Sequence, residues 1–165
     1  MCEMCRGWTA EEVAADQRHH IATIGWTVLM IEPRPGGVGW AYTIGLSESY
    51  GHPELLCFSC DVRSAWAMLN RLGARVRDGT VVQPGRDVLA EVTTDVVDVH
   101  PVHLFGELVN GWRALYADRV PAQRPELRVL QVLEVAQVCH RCGDRHEDRG
   151  LRIRLDRPYA RLPRP

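Results

Sequence analysis

Apolar positions along the chain switch between a helical and a two-residue period, and the switches mark out the elements. Thr9-Ala10-Glu11-Glu12 has the form of a capping box, so a helix is expected from about Ala10 to about His20, broken by Gly25. Trp26 to Glu32 is β-branched and apolar, which predicts a strand. Turn chemistry at Arg34-Pro35-Gly36-Gly37 and a second strand from Trp40 to Leu46 complete an antiparallel hairpin. A polar loop, Ser47 to Pro53, leads into a short buried strand from Glu54 to about Ser59. Asp61 is placed to cap a helix over Val62 to Asp78, in which Ala65, Met68, Leu69, Leu72 and Val76 recur at helical spacing before Gly79.

The second half is read the same way. Asp87 to Val99 predicts a strand, bent or interrupted. Pro101 suits the first turn of a helix whose Val102, Phe105, Val109, Trp112 and Tyr116 share one face. Leu127 to Val138 is a late strand, with a further short one at Leu151 to Leu155. This order predicts an α+β fold: an antiparallel sheet or small split-barrel-like β-core, flanked by about three helices. Residues 1–150 form one domain in this reading. Residues 151–165 form a basic, proline-containing tail. From Arg149 onward six arginines face one aspartate, and poor order is expected there.

Composition narrows the classes. With 45% hydrophobic residues and a formal net charge of -1 over 165 residues, the chain can bury a core. Near-neutral charge gives no general reason to expect nucleic acid or a membrane surface as partner. The arginine-rich tail is the one feature that points toward nucleic acid, and it lacks aromatic interleaving beyond Tyr159. No run reaches the length of a membrane span. No signal-peptide pattern opens the chain, so a cytoplasmic setting with reduced thiols is expected.

The cysteines change the picture most. All six fall into Cys-x-x-Cys pairs: Cys2/Cys5, Cys57/Cys60 and Cys139/Cys142. The first and last pairs are each followed closely by glycine, the shape of a zinc knuckle. Together Cys2, Cys5, Cys139 and Cys142 supply four thiolates for one tetrahedral structural Zn ion, a clasp joining the ends of the chain. His19, His20, His140 or His146 are alternatives for single thiolates. Cys57 and Cys60 sit in an apolar segment and read first as packing, since residues three apart on a regular strand face opposite ways. A redox dithiol is the alternative, because Cys60 lies near a helix start.

Three segments carry a family resemblance: Trp40-Ala41-Tyr42-Thr43-Ile44-Gly45-Leu46, then Gly51-His52-Pro53-Glu54-Leu55, with Gly25-Trp26 before them and the Met1-Cys2-x-x-Cys5 opening. The chain resembles the bacterial proteins grouped as domain of unknown function 4262, from Cys2 to about Val135. It departs from them at Cys57 and Cys60, where the family tends to carry aliphatic or small residues. It departs again at the Cys139 knuckle, where the family tends to a tryptophan- and proline-containing segment. A family-wide site at Cys2 and Cys5 would then turn to His19 or His20. The hairpin, loop and buried strand also resemble flavin-binding split barrels. That likeness implies Thr43, Ser47 and Ser49 as hydroxyls for an FMN phosphate, with Tyr42 or His52 near the ring.

Glu54, at a buried strand start, would need a partner, and His52, held extended before Pro53, is the histidine to watch. No nucleophile motif, P-loop or dinucleotide fingerprint is present. The leading expectation is a zinc-stabilised domain that binds a protein partner or small ligand through Tyr42 to Glu54. The alternatives are a flavin-dependent oxidoreductase using the same region, and a dithiol redox protein at Cys57/Cys60. Substrate and oligomeric state are left open.

Overall fold

A computed structural model describes residues 7–32, 38–59, 61–89, 92–134 and 153–158. The elements are α1 (Ala10–Ile24), β1 (Thr27–Ile31), β2 (Gly39–Ile44), α2 (Leu46–Tyr50), β3 (Glu54–Ser59), α3 (Val62–Arg77), β4 (Gly85–Leu89), β5 (Val92–Asp98), α4 (Pro101–Leu104), α5 (Asn110–Leu115) and β6 (Val129–Glu134). Short 3-10 turns lie at Glu107–Val109 and Pro121–Gln123.

The capping box forms as the sequence predicts: Thr9 Oγ1 accepts from Glu12 N, and a Glu12 carboxylate oxygen accepts from Thr9 N at 2.7 Å. The helix runs one turn past His20, to Ile24, because the left-handed stop comes only at Gly25, with φ of 106°. In α3, Asp61 accepts from Arg63 N, and Ala65, Met68, Leu69, Leu72 and Val76 are buried as their spacing requires.

The six strands make one open sheet in the order β1-β2-β3-β6-β5-β4. Neighbours are antiparallel except β3 and β6, which run parallel with Glu54 opposite Val129. The antiparallel-or-barrel expectation is corrected here. The chain leaves β3 through α3, lays down the β4–β5 hairpin at the far edge, and returns β6 into the gap, so the sheet has two edges and does not close. Among the described residues five helices flank it, where about three were expected.

Every residue of β2 and β3 is buried, which follows from helices covering both faces of the sheet. Ala41, Leu55 and Cys57 pack with Trp26 against α3. Trp40, Tyr42, Ile44, Leu56 and Phe58 pack on the other face with Ile21, Trp112 and Tyr116. Cys57 is thus a core residue, its thiol donating to Phe58 O; Cys60 lies outside the described residues.

Four further expectations are corrected. The polar loop after β2 contains a helix, α2, for a reason given below. The Asp87–Val99 strand is a hairpin of two strands, β4 and β5, with Leu89 opposite Val92. The single helix after Pro101 is broken at Gly106, which is extended (φ -84°, ψ -160°). Val102 and Phe105 therefore face outward, Phe105 at 81% exposure, while Val109, Trp112 and Tyr116 are buried. Of the tail, residues 153–158 are docked: Leu155 is fully buried, its N–H donates to Gln131 Oε1 at 2.8 Å, and its carbonyl accepts from His100 N at 2.7 Å. Among the described residues no helix is long and apolar enough to cross a membrane.

Gly73, in the middle of α3, lies under the Trp26 indole; a Cβ there would sit 2.5 Å from Trp26 Cε2. Helix propensity alone favours Gly→Ala by about 1 kcal/mol. Overpacking of this kind opposes it by about 1–3 kcal/mol. Gly73→Ala is therefore expected to be net destabilising, read as a lower urea midpoint at unchanged m-value.

Candidate functional site

The site grows from one carboxylate. Glu54 opens β3 directly after Pro53, and its N–H donates to Arg128 O at 2.8 Å, which sets the parallel register with β6. Its side chain is 1% exposed, too deep for water to solvate it. Five donors converge on it. The Thr43 hydroxyl donates to Oε2 at 2.7 Å and the Ser47 hydroxyl to Oε1 at 2.7 Å. The backbone amides of Gly45, Leu46 and Ser47 supply the rest, at 2.9, 3.3 and 3.2 Å.

Leu46 and Ser47 are the first residues of α2, so the carboxylate satisfies amides that a helix start leaves orphaned. This is why Ser47 to Tyr50, polar loop by sequence, continue from Leu46 as a helix. Gly45 makes the approach: its φ of 112° turns the chain from β2 into α2, and a Cβ on it would meet Gly25 O at 2.9 Å. Thr43 Oγ1 also accepts from Leu55 N at 2.8 Å, so one hydroxyl ties β2 to both ends of the Glu54–Leu55 step.

The other residues expected at the site are likewise bonded within the chain. The Tyr42 hydroxyl accepts from Gly111 N at 2.9 Å. Burial pushes its pKa up to about 12, against the pull of the Gly111 and Trp112 amides. His52 lies between Pro53 O, 2.7 Å from Nδ1, and Val82, whose N–H donates to Nε2 at 3.1 Å. It pins the segment after α3 to the start of β3. Ser49 and Tyr50 are exposed on α2, and the Tyr50 hydroxyl donates to Ile24 O over Gly25.

Beside the carboxylate lies a polar group built on Tyr116, which the sequence placed only on the packing face of a helix. The Tyr116 hydroxyl donates to one Glu48 oxygen at 2.8 Å, and Arg119 donates to the other at 2.7 Å while its guanidinium stands 4.8 Å over the Tyr116 ring. Burial raises the Tyr116 pKa well above the usual phenol range, and the hydrogen bond and charge of Glu48 add to it. Trp112 packs 4.7 Å from Tyr116, and its indole Nε1 is buried without a hydrogen-bond partner among the described residues.

The structure therefore brings Thr43 and Ser47 together on Glu54, while Tyr42 bonds Gly111 on the face that holds Trp112 and Tyr116, and His52 bonds Val82, which packs on the α3 side. The hydroxyls that a flavin phosphate would need, on Thr43 and Ser47, donate instead to Glu54. Cys2, Cys5, Cys139 and Cys142 lie outside the described residues, as do His140 and His146. Among the described residues no cluster of His, Cys, Asp or Glu side chains is arranged to hold a metal ion. His19 and His20 stand on α1 with ring centroids 6.2 Å apart, His20 against Asp16. Gln131 was also missed, though a lone amide in the apolar run from Val129 to Leu133 was a visible signal.

Comparison with known proteins adds one finding. The family model described as Domain of unknown function (DUF4262) matches residues 20–134. No curated protein and no solved structure matches the chain.

Glu54→Gln places an N–H₂ among donors and is expected to cost about 3 kcal/mol, while Thr43→Val costs about 1–2 kcal/mol. The double variant should cost clearly less than the sum, in a urea-denaturation cycle.

Alkali should also unfold the chain. Tyr42 and Tyr116 hold their protons more tightly folded than unfolded, so the stability this gives is complete below pH about 10 and is lost as pH rises toward the folded values. For Tyr42 the loss is roughly 2–3 kcal/mol. Urea midpoints between pH 9 and 12 should fall steeply for the wild type and less for Tyr42→Phe.

Proposed function

This chain belongs to the DUF4262 family, and we propose that it is a non-catalytic binding domain that engages a protein partner or small ligand through the surface of its Tyr42–Glu54 region. One observation carries the reading. The polar groups of that region, Tyr42, Thr43, Ser47, His52 and Glu54, are all hydrogen-bonded inside the chain. A carboxylate with five donors on it is poorly placed to move protons for a substrate. What the arrangement does is hold α2 rigidly, with Glu48, Ser49 and Tyr50 facing outward and Arg119 at their side. Rigid elements that present polar groups at a surface suit recognition.

The reading includes a structural zinc held by Cys2, Cys5, Cys139 and Cys142. Support comes from the donor set: four thiolates in two knuckles match the tetrahedral preference of zinc and its affinity for sulfur. Such an ion would join the start of the chain to the segment beyond β6. Reduced thiols of this kind suit a cytoplasmic protein. The flavin and dithiol readings rank lower, because the Thr43 and Ser47 hydroxyls serve Glu54 and the Cys57 thiol is buried.

Elemental analysis with an absorbance spectrum, on protein purified without chelators, tests the reading. One zinc per chain and no flavin band are expected, with the zinc lost in Cys139→Ser/Cys142→Ser. A chain free of zinc removes the clasp, and a bound flavin removes the non-catalytic assignment. A ligand found by thermal shift should lose its effect in Glu48→Ala/Ser49→Ala if it uses this surface.

A further inference from the structure

The two edges of the sheet are built differently. β4 carries Arg86 and Asp87 and starts directly after Pro84, features that discourage an added strand. β1, at the other edge, reads Thr27-Val28-Leu29-Met30-Ile31, with no charge, proline or glycine. It pairs with β2 along its whole length without a bulge, and β2 is its one strand partner among the described residues. The outer row of β1 backbone groups is thus a template for one more strand.

Both faces of β1 are held by the domain. Leu29 and Ile31 pack on the cluster of Trp112 and Tyr116, and Val28 on the cluster under α3. Met30 shares the α3 face with Val28 and is 41% exposed. Trp66, 44% exposed, lies one turn before Asn70, which accepts from Trp26 Nε1 at 3.1 Å. That stripe of α3 therefore runs along the β1 side of the sheet. An open edge flanked by exposed apolar side chains is a surface that a partner covers.

The chemistry of this edge is complementary to itself. Antiparallel pairing of two copies about Leu29 sets Thr27 of one copy opposite Ile31 of the other, and Val28 opposite Met30. One residue further out, Glu32 of one copy falls opposite Trp26 of the other, on the α3 face. There the Arg77 guanidinium stands 6.0 Å from the Trp26 ring. Its Nε donates to the neighbouring Asp78 at 3.2 Å, and no bond among the described residues engages its terminal nitrogens. Glu32 is exposed and makes no ion pair among the described residues. Each end of the joined strands thus brings a carboxylate to a cation.

We propose that β1 is a dimerisation edge, through which two copies of this chain pair antiparallel over Thr27–Ile31 about Leu29 and join their sheets into one. A stable interface buries about 1,200–2,000 Å² in total, more than a short strand pair supplies. The Trp66 stripe of α3 widens the contact on one side of the joined sheet. The interface is separate from the α2 surface and does not depend on it.

Sedimentation velocity of the full chain over a concentration series tests this. The wild type is expected to dimerise, and Met30→Lys to weaken the dimer by about tenfold or more, since a charge enters an apolar strand pair. Glu32→Arg and Arg77→Glu should each weaken it by about threefold, and the double variant should recover most of the loss. These two substitutions leave the apolar packing intact, so they serve if circular dichroism shows Met30→Lys unfolded. A wild type still monomeric at about 100 μM overturns the proposal. A dimer indifferent to Met30→Lys places the interface elsewhere, and single reversals without recovery in the double variant remove the Leu29-centred pairing; either overturns it.

Discussion

The fold turns on a carboxylate that has no access to water. Burying an ionised Glu54 is expensive unless its lone pairs are filled. The surrounding sequence fills them from three directions: a hydroxyl from β2, a hydroxyl from α2, and the amides that α2 leaves free at its start. Each of these constraints fixes something larger. Thr43 sets where β2 stands against β3, Gly45 makes the reversal between them, and Leu46, the first helical residue, is fully buried in the core under α3. The Tyr-Thr-Ile-Gly-Leu and Pro-Glu-Leu segments are therefore two halves of one polar bond network, and their separation along the chain is the length of the turn between them.

Local rules were legible where local physics decides. Thr9, Asp61 and Gly25 announced helix ends, and the spacing of Ala65 to Val76 gave the buried face of α3. The β1–β2 hairpin followed from its β-branched, apolar strands and the turn residues between them. The misreadings came from partners distant in sequence. Residues 47–50 look like loop until Glu54 is placed beside their amides. Nothing local to Val129–Glu134 says that it will pair in parallel with β3, and that pairing turns the expected antiparallel sheet or small barrel into a mixed open sheet. Phe105 and Val102 shared a face with Trp112 on paper, but extended backbone at Gly106 separates them. The polar roles of Tyr116, read only as packing, and of Gln131 were hidden for another reason: their polar atoms meet groups 68 and 24 residues away.

The candidate site was legible as a place and not as a chemistry. Tyr42, Thr43, Ser47 and His52 were picked out as groups able to meet a ligand; Thr43 and Ser47 meet on Glu54, while Tyr42 and His52 are bonded elsewhere. Their hydrogen bonds go to groups of the chain itself: Gly111, Glu54 and Val82. A buried polar group with a partner and one awaiting a ligand have the same signature in a sequence. Hydrogen-bond distances separate them.

The strand order also bears on how the protein is made. Among the described residues β6 is the last strand, yet it sits between β3 and β5 and there makes the one hydrogen-bonded link between the β1–β3 meander and the β4–β5 hairpin. Until residues 129–134 have left the ribosome, these two parts of the sheet have no hydrogen-bonded connection and each exposes an unpaired inner edge. Growing chains of this protein must therefore wait with two open strand edges, dependent on chaperones or on speed to avoid pairing with each other.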